Sequence, residues 1–324
     1  MPVKKEKISK IVFIVGPTAI GKTRLAVRLA KKINAEVVSA DSMQIYKGMR
    51  ILSQAPSAEE KDHIRHHLIG LLDPKDEYSA AAFIKLATER IRSIIRRRKM
   101  PIVAGGSGLY VKALIDGLFP APAADMKFRL RMHRRALKMG PGSIHKELML
   151  IDPVSAGNIH PNDERRIVRA LEIYHITGRT MTDLKSQTKG LKDHYEIYIF
   201  GLTGPREDMY NGINMRTDVM FEKGLVREIK RLMKKKMSKT ASAALGIKEV
   251  RSFLKGEYGL SEAKEMLKQN TRNFAKRQMT WFRADPRIQW FDVSKSNDTD
   301  IARKIMAYIK KRSGKNTKYA VRCT

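Results

Sequence analysis

Gly16-Pro17-Thr18-Ala19-Ile20-Gly21-Lys22-Thr23 follows the apolar run Ile11–Val15 without a gap. A strand, a glycine-rich turn and a helix in this order bring backbone N–H groups together around phosphate oxygens. Gly16 and Gly21 let the main chain curl. Lys22 supplies a point charge, and the Thr23 hydroxyl can hold Mg²⁺. The helix that begins here adds the positive end of its dipole. These residues predict a bound di- or triphosphate without saying what is done with it. A second reactive group, Asp41, ends the apolar stretch Glu36-Val37-Val38-Ser39-Ala40. Ligands bind at the carboxyl ends of parallel strands, so Asp41 reads either as a metal-linked carboxylate or as a general base. Residue types alone leave these two open.

The elements that must position these groups alternate. Ile11–Val15, Glu36–Ala40 and Pro101–Ala104 read as strands, and Ser79 reads as the N-cap of a long helix reaching Arg98. Alternating β and α patterns predict a parallel sheet with helices on both faces. The breaker-rich Phe119-Pro120-Ala121-Pro122-Ala123 is a hinge. Beyond it, Asp125 to Gln187 shows only helical periodicity. Tyr195–Leu202 alternates and returns the chain to the sheet, helical patterns fill Arg206 to Arg283, and Ile288–Phe291 reads as a last strand. The expected fold is α/β, a P-loop-type parallel sheet flanked by helices with an all-helical insertion domain. Its expected parts are a first core segment 1–120, an insertion 121–194, a second core segment 195–292 with basic helices, and a basic tail 293–324. In that tail a turn or two of amphipathic helix from Ile301 gives way to a disordered Lys310-Lys311-Arg312-Ser313-Gly314-Lys315.

The 324 residues carry 65 Lys+Arg against 33 Asp+Glu, a formal charge of +32. Such an excess steers a protein toward a polyanion, with nucleic acid ahead of an anionic membrane. Cys323 is the single cysteine, so no intrachain disulfide can form. The first apolar stretch is too short for a signal-peptide core, and no segment approaches the ~20 apolar residues of a membrane span. A cytoplasmic protein without a membrane partner is expected.

Longer words narrow the reading. G-P-T-A-I-G-K-T, A-D-S-M-Q-I-Y-K-G-M, H-H-L-I-G-L-L-D-P, A-G-G-S-G-L-Y, I-H-P-N-D-E-R-R-I-V-R-A-L-E and T-R-N-F-A-K-R-Q-M-T-W-F-R occur in that order between Ile11 and Phe291. Together they resemble the tRNA dimethylallyltransferases, also called isopentenyltransferases. The resemblance implies that the loop holds the diphosphate of dimethylallyl diphosphate rather than a nucleoside triphosphate. The reaction it implies moves a five-carbon group onto the N6 amine of the adenine 3′ of a tRNA anticodon. The implied partners are a tRNA anticodon stem-loop and the prenyl donor, with Mg²⁺ as cofactor and a monomer as the expected state.

The same resemblance assigns roles. Asp41 becomes the general base for a weakly nucleophilic amine. Lys22, Arg216 in I-N-M-R-T-D-V-M, and Thr23 with its metal stabilise the departing diphosphate, which the loop Gly16, Pro17, Thr18, Ala19, Ile20, Gly21, Lys22 and Thr23 binds. Ser107 stands where the family usually has Thr and keeps the hydroxyl. Asp41, Ser42, Met43 and Gln44 match a stretch that touches the tRNA around the target base, and Arg165, Arg166, Ile167, Val168 and Arg169 match another. Lys248, Arg272, Lys276, Arg277 and Gln278 complete the expected RNA contacts, where cations interleave with Phe274 and Trp281. Phe274 and Trp281 are also seven apart, as two core residues of one helix face would be. The target adenine is expected to flip out of the anticodon loop. His63, His66 and His67 cluster without a completing ligand set, and His67 reads as a packing and hydrogen-bonding residue.

Three places depart from the family pattern. Arg50-Ile51-Leu52-Ser53-Gln54-Ala55-Pro56 lacks the usual I-G-T-A-K-P character, Ile247 replaces a tyrosine in G-Y-K-E, and Ser107 replaces Thr. The rival readings are a P-loop kinase, an isopentenyltransferase of free adenine nucleotides, and an RNA-binding protein with a vestigial loop. The kinase needs an Asp-terminated Mg²⁺ strand, whereas Ile102–Ala104 runs into Gly105-Gly106. A mononucleotide acceptor does not need the basic C-terminal half.

Overall fold

The computed structural model describes residues 9–313. Six parallel strands form one sheet in the order β3-β2-β4-β1-β5-β6. They are β1 (Lys10–Val15), β2 (Ala35–Ser39), β3 (His66–His67), β4 (Met100–Gly105), β5 (Glu196–Thr203) and β6 (Gln289–Asp292). β1 lies inside, paired Val12 with Ile102 on β4 and Val12 with Tyr198 on β5. Ile11 to Val15 are fully buried, as the continuous apolar run requires when helices cover both faces. The two-residue β3 was not read from the sequence, because two residues carry no periodicity.

Helix α1 (Lys22–Ile33) leaves the phosphate loop, α2 (Ala58–Lys61) is a single capped turn, and α3 (Ala80–Arg96) covers the sheet through Phe83, Ala87, Ile91 and Ile94. Ser79 caps α3 by accepting from Ala82 N–H at 3.2 Å, as expected. α4 (Gly108–Asp116) follows β4.

The described chain divides into two compact units, a smaller one of Asp116–Asp193 and a larger one holding the sheet. The smaller unit is wholly helical: α5 (Met126–Met139), α6 (Pro141–Ile151), α7 (Pro153–Gly157), α8 (Glu164–Thr177), α9 (Met181–Ser186) and a 3₁₀ turn at Leu191–Asp193. Phe128, Met132, Ile144, Leu148, Ile167 and Leu171 form its core. Glu172 is fully buried there, bonded by Arg129 through two 2.8 Å contacts and by Arg169. Burial alone would raise its pKa, but the two guanidiniums and the Asp125 amide pull it to about 2.

In the larger unit β5 is followed by α10 (Arg206–Glu222), α11 (Leu225–Leu232), α12 (Lys239–Ser242), α13 (Ile247–Leu254) and α14 (Leu260–Arg283). The last helix, α15 (Asp298–Ser313), corrects the expected tail. It runs for 16 residues and buries Ile301, Ala302, Ile305 and Ile309 with Leu25 and Leu29 of α1 and Phe200 of β5. Burying each isoleucine contributes about 1.5–3 kcal/mol, which holds the helix through Lys310, Lys311 and Arg312 despite their charge. Gly314, Lys315 and Cys323 lie outside the described residues.

Candidate active site

Hydrophobic strands fix the place of the chemistry. β1 and β2 end side by side on either side of β4, so the loop after Val15 and Asp41 after β2 reach the same edge of the sheet. Gly16 has φ +145°, and a Cβ there would sit 2.8 Å from the Leu202 carbonyl oxygen of β5. Only glycine allows the chain to turn this close to a neighbouring strand. Ala19 holds a left-handed φ of 65°, uncommon for a residue with a side chain and frequent where a loop is shaped for a ligand.

The loop encloses a cleft of about 550 Å³. Thr18 to Arg24 line it with Asp41, Gln44, Arg216 and Phe274. Lys22 Nζ donates to the Pro17 carbonyl at 2.6 Å. Its pKa is lowered to about 7, because burial disfavours the charge; Asp41 opposes this and Arg216 adds to it. Burial also lowers the pKa of Arg216 against the attraction of Glu60, though a guanidinium stays charged. Asp41 accepts from the N–H groups of Met43 and Gln44 at 2.8 and 3.2 Å. Burial nevertheless pushes its pKa up, outweighing those amides and Lys22. A pocket lined by Lys22, Arg24 and Arg216 thus adjoins a carboxylate whose affinity for a proton desolvation raises.

The sequence did not reveal what locks the loop. Gln278 of α14 accepts from Thr18 N–H at 2.9 Å through Oε1 and donates to the Gly106 carbonyl at 2.9 Å through Nε2. It is buried, so this residue, expected to touch RNA, instead ties the phosphate loop to the end of β4. Gly106 has no room for a Cβ, which would fall 2.2 Å from Gln278 Nε2. Trp281 packs over Gly108 and Phe274 faces the cleft, so neither belongs to a simple core stripe. A glutamine in a basic helical word gives no sequence signal for a bridge that spans 260 residues.

The other expected residues divide. Ser42, Met43 and Ser107 line a second, smaller chamber with Asp41. Lys248, Lys276 and Arg277 are exposed, and Arg277 lies 5.8 Å over the Phe274 ring. Arg272 bonds Asn214 of α10 and Gln269. In the helical unit Arg165 and Arg166 are exposed, but Ile167 and Val168 are buried and cannot present side chains to RNA. They follow the 3.6-residue period inward while the arginines point out. Arg169 is held by Glu172 and the Pro122 carbonyl. Among the described residues no cluster of three or more His, Cys, Asp or Glu could hold a metal, and His67 instead bonds Glu36 at 2.7 Å.

A family model described as "IPP transferase" matches residues 44–285. The chain belongs to this family. It is similar to the tRNA dimethylallyltransferase of Halothermothrix orenii, 44% identical over 308 residues that cover 94% of this chain and 93% of that protein. The tRNA dimethylallyltransferase of Bacillus subtilis is 43% identical over 297 residues, covering 91% and 94%. Among solved structures, the full-length tRNA isopentenylpyrophosphate transferase of Bacillus halodurans matches with a TM-score of 0.71 at 39% identity, covering 96% of this chain and 99% of that one. A eukaryotic dimethylallyltransferase acting on tRNA matches with a TM-score of 0.76 at 30% identity, covering 93% and 79%.

Proposed function

We propose that this chain transfers the dimethylallyl group of dimethylallyl diphosphate to the N6 amine of the adenine 3′ of a tRNA anticodon. One observation carries the reading: a cationic loop and Asp41, whose affinity for a proton desolvation raises, share one cleft. A phosphoryl-transfer enzyme of this fold needs an Asp-terminated strand for its metal. Here β4 ends at Gly105 and continues into Gly106.

The N6 nitrogen forms a bond to the first carbon of the prenyl chain as the bond from that carbon to the diphosphate oxygen breaks. Asp41 accepts the proton the amine loses, which contributes about 10²–10⁴-fold. Lys22, Arg216 and the loop amides meet the negative charge that grows on the leaving oxygen. The residues present fit Mg²⁺: the hydroxyl of Thr23, in the first turn of α1 and lining the cleft, would hold it, and Mg²⁺ is commonly held by few protein oxygens plus phosphates. Bound there, the metal would neutralise charge on the leaving group. Arg165, Arg166, Lys248, Lys276 and Arg277 are the exposed cations we assign to tRNA phosphates. Among the described residues no helix is long and apolar enough to cross a membrane.

The test is incubation with unmodified tRNA and labelled dimethylallyl diphosphate, with labelled ATP as the control donor. Label on the anticodon-loop adenine is the expected result. Transfer from ATP alone would overturn it.

A further inference from the structure

The hydroxyl of Ser53 is buried and has no hydrogen-bond partner among the described residues. Its main chain is firmly held. The N–H groups of Ile51 and Leu52 donate to the buried Glu228 carboxylate at 3.0 and 2.8 Å, and Ser53 N–H donates to the Met49 carbonyl at 2.9 Å. A fixed, buried and unpaired hydroxyl costs free energy comparable to a lost hydrogen bond. It is tolerated where a bound molecule completes it.

Ser53 stands on the border of two spaces. It lines the phosphate cleft and also the chamber of about 150 Å³ beside Asp41. The cleft carries Lys22, Arg24 and Arg216, whereas no lysine or arginine lines the chamber. The chamber walls include Leu52, Met220, Leu267 and Phe274. The diphosphate belongs with the cations, leaving the neutral parts of the two reactants for the chamber. A dimethylallyl tail has no hydrogen-bond acceptor. An adenine has ring nitrogens that accept.

We propose that Ser53 Oγ donates a hydrogen bond to N1 or N7 of the acceptor adenine, the ring nitrogens that flank its exocyclic amine, and turns that amine toward Asp41. This rests on the transfer reaction proposed above. Ser53 lies in the segment Arg50–Pro56, whose composition departs from the family pattern, and with Gln54 it is one of the polar residues of that segment facing both spaces.

The experiment measures transfer to an anticodon stem-loop RNA carrying adenosine, 1-deazaadenosine or 7-deazaadenosine at the target position. Ser53→Ala should lower kcat/KM for adenosine RNA by roughly 3- to 10-fold with an unchanged KM for the prenyl donor. Ser53→Thr should restore it. On one of the two deaza RNAs, Ser53→Ala and the parent protein should be equal, because the partner nitrogen is already gone. Equal activity of Ser53→Ala and parent on adenosine RNA would overturn the inference. So would the same loss on all three RNAs, or a raised donor KM, which would put the hydroxyl on the diphosphate. Thermal melting of both variants establishes that they fold. A parent protein inactive on every RNA would sink the transfer reaction itself, whereas failure of the Ser53 pattern alone leaves that reaction standing.

Discussion

Strand β2 carries a buried carboxylate near its start and delivers a half-buried one just past its end, and the two have opposite environments. Glu36 is bonded by His67 at 2.7 Å, Arg97 at 2.6 Å and Lys99 at 3.1 Å. Burial would raise its pKa, but these three donors outweigh it and hold the pKa near 2. Asp41 is half-buried at the cleft, its hydrogen bonds come from two backbone amides, and desolvation outweighs them, so its pKa rises. The partners differ in kind: two cations and an imidazole at Glu36, two amides at Asp41. A carboxylate saturated by cations is a fixed anion and serves as a structural tie. One left short of them can take a proton and serve as a base.

The comparison can be broken at either end. The largest expected effect is at Asp41. Asp41→Asn keeps the shape and removes the proton acceptor, so single-turnover transfer should fall about 10²–10⁴-fold while tRNA binding persists. Near-normal single-turnover rates in that variant would remove Asp41 from the chemistry. At the other end, Glu36→Ala leaves His67 buried without its partner. Breaking a buried ion pair costs ~3–5 kcal/mol, and the partly exposed Arg97 and Lys99 reduce this to about 2–4 kcal/mol. Denaturant melts should record that loss, with kcat of the folded fraction unchanged.

Two pH effects sharpen the contrast further. The folded pKa of Glu36 lies below its unfolded value, so its stabilisation is fully present above pH ~4.5 and is lost as pH falls toward about 2. Asp41 acts in the opposite direction. Its folded pKa is raised, so in the acid range the folded state binds more protons there and folding stability gains as pH falls. Its protonation stops transfer, placing the acid limb of the rate profile above the ordinary aspartate range. The last effect belongs to Lys22. Its pKa near 7 means that above pH 7 the diphosphate must recharge it by taking up a proton. Donor affinity should therefore decline by up to tenfold per pH unit above 7, as titration calorimetry in buffers of different ionisation heat can measure. A pH-independent affinity from pH 6 to 9 would show that Lys22 stays charged without ligand.

Local pattern carried much of this molecule. The runs Ile11–Val15 and Glu36–Ala40 predict strands, and a strand followed by G-P-T-A-I-G-K-T predicts a phosphate loop because the spacing itself sets the backbone geometry. The helical character of Asp125–Gln187 was also legible, as was the Ser79 cap. The length of α15 was not. Its charged end reads as solvated chain, and only the isoleucine face packed on α1 stabilises it. The inward turn of Ile167 and Val168 beside two exposed arginines also had to be seen in the fold.

The sequence by itself predicted a phosphate-binding loop, and it determined that strands and helices alternate around that loop and that Asp41 follows a strand near it. Those features depend on neighbours in the chain. Tertiary structure alone decided that Gln278 holds the loop, that Glu228 fixes the backbone before Ser53, and that Glu36 is ion-paired while Asp41 is held by backbone amides. These depend on groups far apart in the chain meeting in a buried place. A pKa or an unpaired hydroxyl is a property of surroundings, and residue order does not state them.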